Sequence, residues 1–216
     1  GGIDVSGTGT LNMTTSQINL GAGGLNLAAG STFNPLTSTI LGTGAGQVGV
    51  VNASAGAIVT LPGTTLNNVT FNNATTVNQT GNVNLTAGAI FNNNLGANYN
   101  LNTTAAQYLY SDSTGVFNNA GTFTQVAATA TNVYSYGYVA GNGQLAFNEA
   151  STGILAGTGA RINMAANVTM TGNLTLHGVT KGITFPAEIK IDGDALTATA
   201  EFTINRMEWG VVYPGM

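Results

Sequence analysis

The chain has 216 residues, of which 43% are hydrophobic and only 6% are charged, and its formal net charge is -4. Ordinary globular proteins contain roughly a quarter charged residues, so the solubility of this chain rests on amide and hydroxyl side chains. Four basic residues are too few for a nucleic-acid-binding face, the lack of cysteine excludes thiol catalysis and disulfides, and no apolar run reaches the roughly 18 to 20 residues of a membrane span.

A hydrophobic-Asn-hydrophobic triplet recurs along the chain. In a strand, alternation places the two apolar residues on one face and the Asn on the other, so each triplet predicts a short, half-buried strand. The triplets are Leu11-Asn12-Met13, Ile18-Asn19-Leu20, Leu25-Asn26-Leu27, Val83-Asn84-Leu85, Tyr99-Asn100-Leu101 and Ile162-Asn163-Met164.

The spacing of the first three triplets predicts a repeating coil. A seven-residue spacing is also typical of a coiled coil, but the intervening Gly, Asn and Thr residues disfavour a helix. Three strand-turn units would form a coil of about 21 residues, and coils that pair with their neighbours form a β-solenoid of about seven or eight coils over residues 1–160. Turns are expected at the Asn clusters, where left-handed backbone angles are tolerated: Asn67-Asn68, Asn72-Asn73, Asn92 to Asn94 and Asn118-Asn119.

The composition changes near Arg161. All four basic residues and five of the eight acidic residues lie from Arg161 onward, whereas residues 5–111 contain no charged side chain. The strand signals there are longer, and Asp192-Gly193-Asp194 is typical of a hairpin turn. The predicted strands are Val168 to Leu176, Ile183 to Ile191 and Ala195 to Asn205. The sequence therefore predicts an all-β chain with two parts, a β-solenoid or β-helix-like repetitive region over residues 1–160 and a short antiparallel β-meander over residues 161–216.

The second part also carries a family resemblance. The matching pieces are GNLTLHGVTK from Gly172 to Lys181, the strand Ile183 to Ile191, the turn Asp192 to Asp194, and FTINR from Phe202 to Arg206 followed by Trp209-Gly210. On these pieces, the segment from Thr171 to Gly215 resembles the C-terminal part of the YceI-like family. The resemblance implies a lipocalin-like β-barrel that binds a polyisoprenoid or another long apolar lipid.

The barrel that this resemblance implies would need more strands than the segment offers, because about eight are required to enclose even one ligand. Residues 1–160 resemble, more loosely, the Gly/Asn/Thr-rich repeats of bacterial surface adhesins and filamentous-haemagglutinin-like β-helices. That second resemblance implies a secreted or cell-surface location.

The ionisable residues predict no catalytic, cofactor or metal site. The first 148 residues contain only Asp4 and Asp112, whereas glycan-cleaving solenoids need clustered carboxylates. His177 and Lys181 lie across a Gly-containing turn and form no metal or nucleophile constellation. The Asp192-Gly193-Asp194 turn supplies too few oxygens for calcium. We therefore expect the protein not to be an enzyme.

Two groups of residues are candidates for interaction. Tyr134, Tyr136 and Tyr138 alternate on one strand face, where they would stack on sugar rings or a neighbouring subunit, or pack in a core or a cross-strand ladder. The second group is a predicted subunit interface, formed by Phe202, Ile204, Trp209, Val211 and Val212. An open strand edge is a template for another chain, and residues 1–11 are the expected partner strand.

These features lead to one functional hypothesis and two alternatives. The hypothesis is a non-enzymatic, secreted structural protein, a subunit of a bacterial extracellular fibre or adhesive surface matrix, whose partner is another copy of itself. One alternative is a lipid-binding β-barrel module. The other is a carbohydrate-binding adhesin that recognises cell-surface glycans.

Overall fold

The structure, a computed structural model, describes residues 2–43, 48–103, 109–112, 114–127, 145–150, 154–158, 168–192 and 195–212. This part of the chain contains 22 strands and one short 3-10 helix, Arg206–Trp209. In chain order the strands are β1 Ile3–Val5, β2 Thr10–Thr14, β3 Gln17–Leu20, β4 Leu25–Leu27, β5 Thr32–Leu36, β6 Ser38–Gly42, β7 Gly49–Ala53, β8 Ile58–Leu61, β9 Thr64–Asn67, β10 Val69–Asn73, β11 Thr76–Gln79, β12 Val83–Thr86, β13 Ile90–Asn93, β14 Asn98–Thr103, β15 Leu109–Ser111, β16 Val116–Asn119, β17 Thr122–Ala127, β18 Ala146–Glu149, β19 Ile154–Thr158, β20 Val168–Leu176, β21 Val179–Asp192 and β22 Ala195–Thr199.

Most of these strands form a parallel solenoid with three faces. Each complete rung places one strand in each of three sheets, as β1, β2 and β3 do in the first rung. Sheet A contains β1, β4, β7, β10, β13, β16 and β18; sheet B contains β2, β5, β8, β11, β14, β17 and β19; sheet C contains β3, β6, β9, β12 and β15. Neighbouring strands within each of these sets pair in parallel. The predicted all-β solenoid is confirmed.

The predicted strand triplets occupy the three faces in turn. Leu11-Asn12-Met13 lies in β2 of sheet B, Ile18-Asn19-Leu20 in β3 of sheet C, and Leu25-Asn26-Leu27 in β4 of sheet A. Their apolar residues are buried or half-buried, and their Asn residues face outward. The triplet Ile162-Asn163-Met164 lies outside the described residues.

The rungs are less uniform than the predicted repeat of about 21 residues. Equivalent outward-facing positions in sheet A are separated by 22, 26, 20, 20, 26 and 30 residues. Pairing requires only that the strands stay in register, so loops between strands can differ in length without disturbing the ladder.

The interior of the later rungs is filled by aromatic rings. Sheet A contributes a stack of Phe71, Phe91, Phe117 and Phe147, with successive ring centroids 4.7, 5.0 and 5.0 Å apart. From sheet B, Tyr99 meets Phe91 and Phe117 edge-on, with each centroid distance 5.0 Å. Offset stacks and edge-to-face contacts are the favoured arrangements of aromatic pairs, so this core is tightly packed.

Beyond β18 the sheet changes from parallel to antiparallel pairing. The first three residues of β20 pair in parallel with β18, while the whole of β20 pairs antiparallel with β21. Between these strands His177 and Gly178 form a two-residue turn with φ values of 52° and 77°, as in a type I′ hairpin. The predicted strand Val168 to Leu176 is confirmed.

The last hairpin is partly as predicted. Asp192 pairs with Ala195 in an antiparallel register, which confirms the predicted hairpin. The strand predicted to run to Asn205 is shorter, because β22 ends at Thr199 and the chain then leaves the sheet. The predicted division of the chain at Arg161 falls within residues 159–167, outside the described residues, and stays a prediction.

The predicted Asn turns were only partly right. Asn68 does form a turn, with a left-handed φ of 51°, and Asn94 begins one, because its carbonyl oxygen accepts a hydrogen bond from the Ala97 N–H over 2.9 Å. The Asn pairs at 72–73, 92–93 and 118–119 instead end the strands β10, β13 and β16. Hydrogen bonds between rungs satisfy these amides within the strands, and this outweighs their local preference for turns.

Candidate interaction surfaces

An amide ladder runs along the outer face of sheet A. The side-chain Nδ2 of each Asn donates a hydrogen bond to the residue one rung earlier, over distances of 2.8 to 2.9 Å. From its first rung onward the outer amide ladder contains Asp4, Asn26, Asn52, Asn72, Asn92, Asn118 and Asn148. A carboxylate can only accept hydrogen bonds, so Asp4 orients Asn26 and, through it, every amide in the row.

A second, buried ladder runs in the opposite direction at the end of the same strands. Asn73 donates from Nδ2 to Oδ1 of Asn93 over 2.8 Å, and Asn93 donates in the same sense to Asn119 over 2.7 Å. Asn93 Nδ2 also donates to the carbonyl oxygen of Thr122 over 3.1 Å. The Asn-Asn pairs recur at the spacing of the rungs, and this is the signal by which the ladders are detectable in the sequence.

Asp112 holds together a turn between two rungs. Its carboxylate accepts hydrogen bonds from the backbone N–H of Ala87 and from the backbone N–H of Thr114, over 2.9 and 3.0 Å, and from the Thr114 hydroxyl. Desolvation alone would raise the pKa of Asp112, but these hydrogen bonds outweigh it and hold the pKa below its ordinary value. This carboxylate is a structural group.

Residues 200–212, here called the C-terminal strap, fold back over the hairpin formed by β20 and β21. The Phe202 ring stacks on Phe185 of β21, with centroids 4.4 Å apart. The Trp209 indole Nε1 donates to the carbonyl oxygen of Leu174 in β20 over 3.1 Å, and Trp209 is only 3% exposed. Trp209 is therefore the anchor of the strap.

Lys181 of β21 adds two weaker contacts to the strap. Its Nζ lies 5.7 Å from the centroid of the Trp209 ring and 3.7 Å from a carboxylate oxygen of Glu208. Both partners of the ion pair are largely exposed, so the pair contributes about 0 to 1 kcal/mol. A cation–π contact at an exposed site adds about 0.5 to 1 kcal/mol.

The strap has a local structure of its own. The Asn205 side chain accepts a hydrogen bond from the Met207 backbone N–H over 3.2 Å and so caps the 3-10 helix. Gly210, with a left-handed φ of 69°, ends it. Such caps satisfy the backbone groups that a short helix leaves unpaired.

The structure separates the residues of the predicted subunit interface. Trp209 is buried within the chain, Ile204 and Val211 are half-buried, and Phe202 and Val212 are 42% and 65% exposed. Their contact with another subunit stays a prediction. Tyr134, Tyr136 and Tyr138 lie outside the described residues. Sequence reasoning missed the hairpin surface that receives the strap, although its alternating apolar residues in β20 and β21 are visible in the sequence.

Two further properties concern only the part of the chain that the structure describes. No group of three or more His, Asp and Glu residues there could hold a metal ion. None of its helices is long and apolar enough to cross a membrane.

Comparison with known proteins identifies the family. The family model of the YceI-like domain matches residues 66–216, which are 151 of the 216 residues. The match begins within β9 of the solenoid and continues through the strap. No curated protein and no solved structure matches the chain. The predicted resemblance is confirmed, and the chain belongs to the YceI-like domain family.

Proposed function

We propose that the protein is a non-enzymatic structural subunit of an extracellular fibre or adhesive surface matrix, and that it assembles through β-strand edges. The observation that carries this proposal is the outer amide ladder, which repeats the same chemistry from rung to rung along the solenoid. A rod of equivalent rungs suits an extended scaffold, because each rung is stabilised by its neighbours.

The charge distribution supports assembly. Residues 5–111 contain no charged side chain, so the described rungs between Asp4 and Asp112 present a neutral, polar surface. Two such surfaces meet without the charge repulsion that keeps most proteins apart. Open head-to-tail contacts that do not close into a ring produce filaments.

Strand β22 offers an edge for such a contact. In the described part of the chain β22 pairs only with β21 and ends its sheet. An edge strand presents backbone N–H and C=O groups that a strand from another molecule can bind. A neighbour's strand would extend the sheet here.

Electron microscopy of the purified protein at rising concentration tests the proposal. Ordered filaments with a regular subunit repeat are expected, and uniform small particles at every concentration would contradict it. Thr197→Pro and Ala198→Pro are a matched pair for β22, because successive backbone N–H groups of a strand point to opposite sides. One of the two substitutions removes an N–H that faces β21, and the other removes an N–H that faces away from β21. The variant that loses the N–H facing away is expected to fold normally and to form no filaments.

A second candidate function is binding of a long-chain lipid. Membership of the YceI-like family favours it, and so does the apolar face of the hairpin under the strap. Organic extraction of the purified protein followed by mass spectrometry tests it. A stoichiometric long-chain lipid would support this function, and an extract without lipid from protein purified from its native source would refute it.

A further inference from the structure

We infer that the C-terminal strap is an exchangeable docking element, which binds the β20–β21 hairpin of a second copy through the same contacts that it makes with its own. The inference deepens the proposed function, on whose self-assembly it rests, because it names the contact between copies. It concerns residues 200–212 and the hairpin face that they cover.

The hairpin has one face that needs a cover. Opposite positions of an antiparallel pair share a face, and Leu174 lies opposite Lys181, as Leu176 lies opposite Val179. On the other face the described side chains are exposed and, apart from Pro186, polar, as with Thr175 and Thr180, whose hydroxyl groups are 2.8 Å apart. The apolar positions of the face on which the strap lies are Leu174, Leu176, Val179, Ile183 and Phe185, of which Val179 is exposed and the others are half-buried.

The strap is the element that fits this face. Phe202 stacks on Phe185, and Trp209 reaches the carbonyl oxygen of Leu174. Among the described residues, side chains of the strap therefore contact the hairpin through this ring stack, this hydrogen bond and the two contacts of Lys181. A second copy offers an identical hairpin, so the fit of its face to the strap is already given by the geometry within one chain.

The backbone hydrogen bonds described for the strap lie within the strap itself, so leaving its hairpin breaks none of them. The backbone hydrogen bonds recorded within residues 205–212 are local: Glu208 N–H donates to Asn205, Gly210 N–H to Met207, Val211 N–H to Arg206 and Val212 N–H to Gly210. Residues 200–205, the first part of the strap, follow β22 directly and form no strand. Exchange between copies therefore replaces every contact by an identical one, which is the condition that makes exchange of an element between protomers easy.

The direction of exchange decides the product. Reciprocal exchange between two copies gives a closed dimer, whereas a strap passed in one direction from copy to copy gives an open chain. In both products each strap lies on a neighbouring hairpin.

Mixing two defective variants of the full chain tests the inference. Trp209→Ala removes the anchor of the strap, and with it the single tryptophan of the chain, but leaves the hairpin intact. A second variant, Lys181→Glu with Phe185→Asp, disrupts the hairpin face at both contact regions of the strap, because it removes the Phe202 stack and the Lys181 contacts and places a carboxylate beside Glu208. It leaves the strap and its Trp209 intact. Alone, this hairpin variant is expected to show red-shifted, easily quenched tryptophan fluorescence. After mixing, its strap docks on the intact hairpin of the Trp209→Ala copy, so the emission is expected to return to the wild-type position.

The design stays informative if the hairpin variant unfolds its own hairpin, because only the strap of that copy is used. Quenching by acrylamide is expected to fall several-fold on mixing, with a one-to-one complex in sedimentation velocity. A partner that carries Trp209→Ala together with Lys181→Glu and Phe185→Asp is the control, and its addition is expected to change nothing. An emission spectrum equal to the sum of the two separate spectra would overturn the inference.

The result is independent of filament formation. Filaments without complementation would leave assembly through strand edges standing and remove the strap as its contact. Complementation without filaments would establish strap exchange into closed dimers and count against the fibre.

Discussion

Replacing Phe117 by Leu tests whether the ring geometry of the core, and not only its apolar volume, stabilises the solenoid. Phe117 is fully buried. Its ring stacks between Phe91 and Phe147 at 5.0 Å on each side, and it meets Tyr99 and Phe123 edge-on at 5.0 and 5.5 Å. Leu keeps much of the apolar volume but removes all four ring contacts.

The expected magnitude follows from a matched control. Phe33 is also fully buried, but it forms no ring contact within the described part of the chain. Each aromatic pair contributes about 0.5 to 1.5 kcal/mol beyond the burial of its area, so the four pairs of Phe117 contribute about 2 to 6 kcal/mol. A hydrophobic substitution of similar volume costs less than about 1.5 kcal/mol, which is the cost expected for Phe33→Leu. Phe117→Leu is therefore expected to cost at least about 2 kcal/mol more than Phe33→Leu.

Urea unfolding followed by far-UV circular dichroism measures both costs. Because a solenoid can unfold rung by rung, hydrogen exchange with mass spectrometry should follow the peptides that contain β5 and β16 separately. Equal free-energy costs for the two substitutions would refute the reasoning and show that the rings act as apolar volume alone.

Three further substitutions have expected outcomes. Asn93→Ala removes three hydrogen bonds of a buried amide, to Asn73, Asn119 and the Thr122 carbonyl oxygen, and is expected to cost about 2 to 4 kcal/mol. Water can replace the half-buried Asn92, so Asn92→Ala is expected to cost about 1 kcal/mol or less. Urea unfolding compares them, and equal costs would contradict the separate roles of the two ladders. Because hydrogen bonds hold the folded-state pKa of Asp112 below its ordinary value, its stabilisation is fully present above about pH 4 and is lost as the pH falls through the folded-state pKa. Melting temperatures of the wild type and Asp112→Asn measured from pH 6 to pH 2 are therefore expected to converge at the acid end, and a constant difference would refute this role. Gly178→Val forces a β-branched residue to a φ of 77° and is expected to destabilise the hairpin by about 1 kcal/mol or more. Quenching of Trp209 fluorescence is then expected to increase, and unchanged quenching would show that the strap does not depend on the turn.

The strand pattern of the solenoid was predictable because alternation is a local property. Leu11-Asn12-Met13 shows its inward and outward residues within three positions, and the same reasoning predicted β3, β4, β12 and β14. Rung length was not predictable in the same way. The separation of 30 residues between Asn118 and Asn148 reflects intervening chain that pairing does not constrain.

The Asn pairs show where local reasoning fails. Asn72 and Asn73 favour a turn by composition, but their amides bind partners 20 residues away in the neighbouring rungs. The strand predicted to extend to Asn205 fails for a related reason. Phe202 leaves the sheet edge to stack on Phe185, and this tertiary contact is not encoded in the alternation of residues 195–205.

The two candidate functions meet at the same surface. The family match begins at Leu66, yet in the described rungs after that point the solenoid interior is filled by stacked rings. A long-chain lipid therefore has no room among Phe71, Phe91 and Phe117, whereas the hairpin face under the strap is an apolar surface that it could reach. A lipid and the strap of a second copy would then compete for one site. If lipid binding is the function, added lipid should expose Trp209 and block complementation between the two defective variants. If assembly is the function, lipid should leave complementation unchanged, and Trp209 fluorescence during a lipid titration separates the two outcomes.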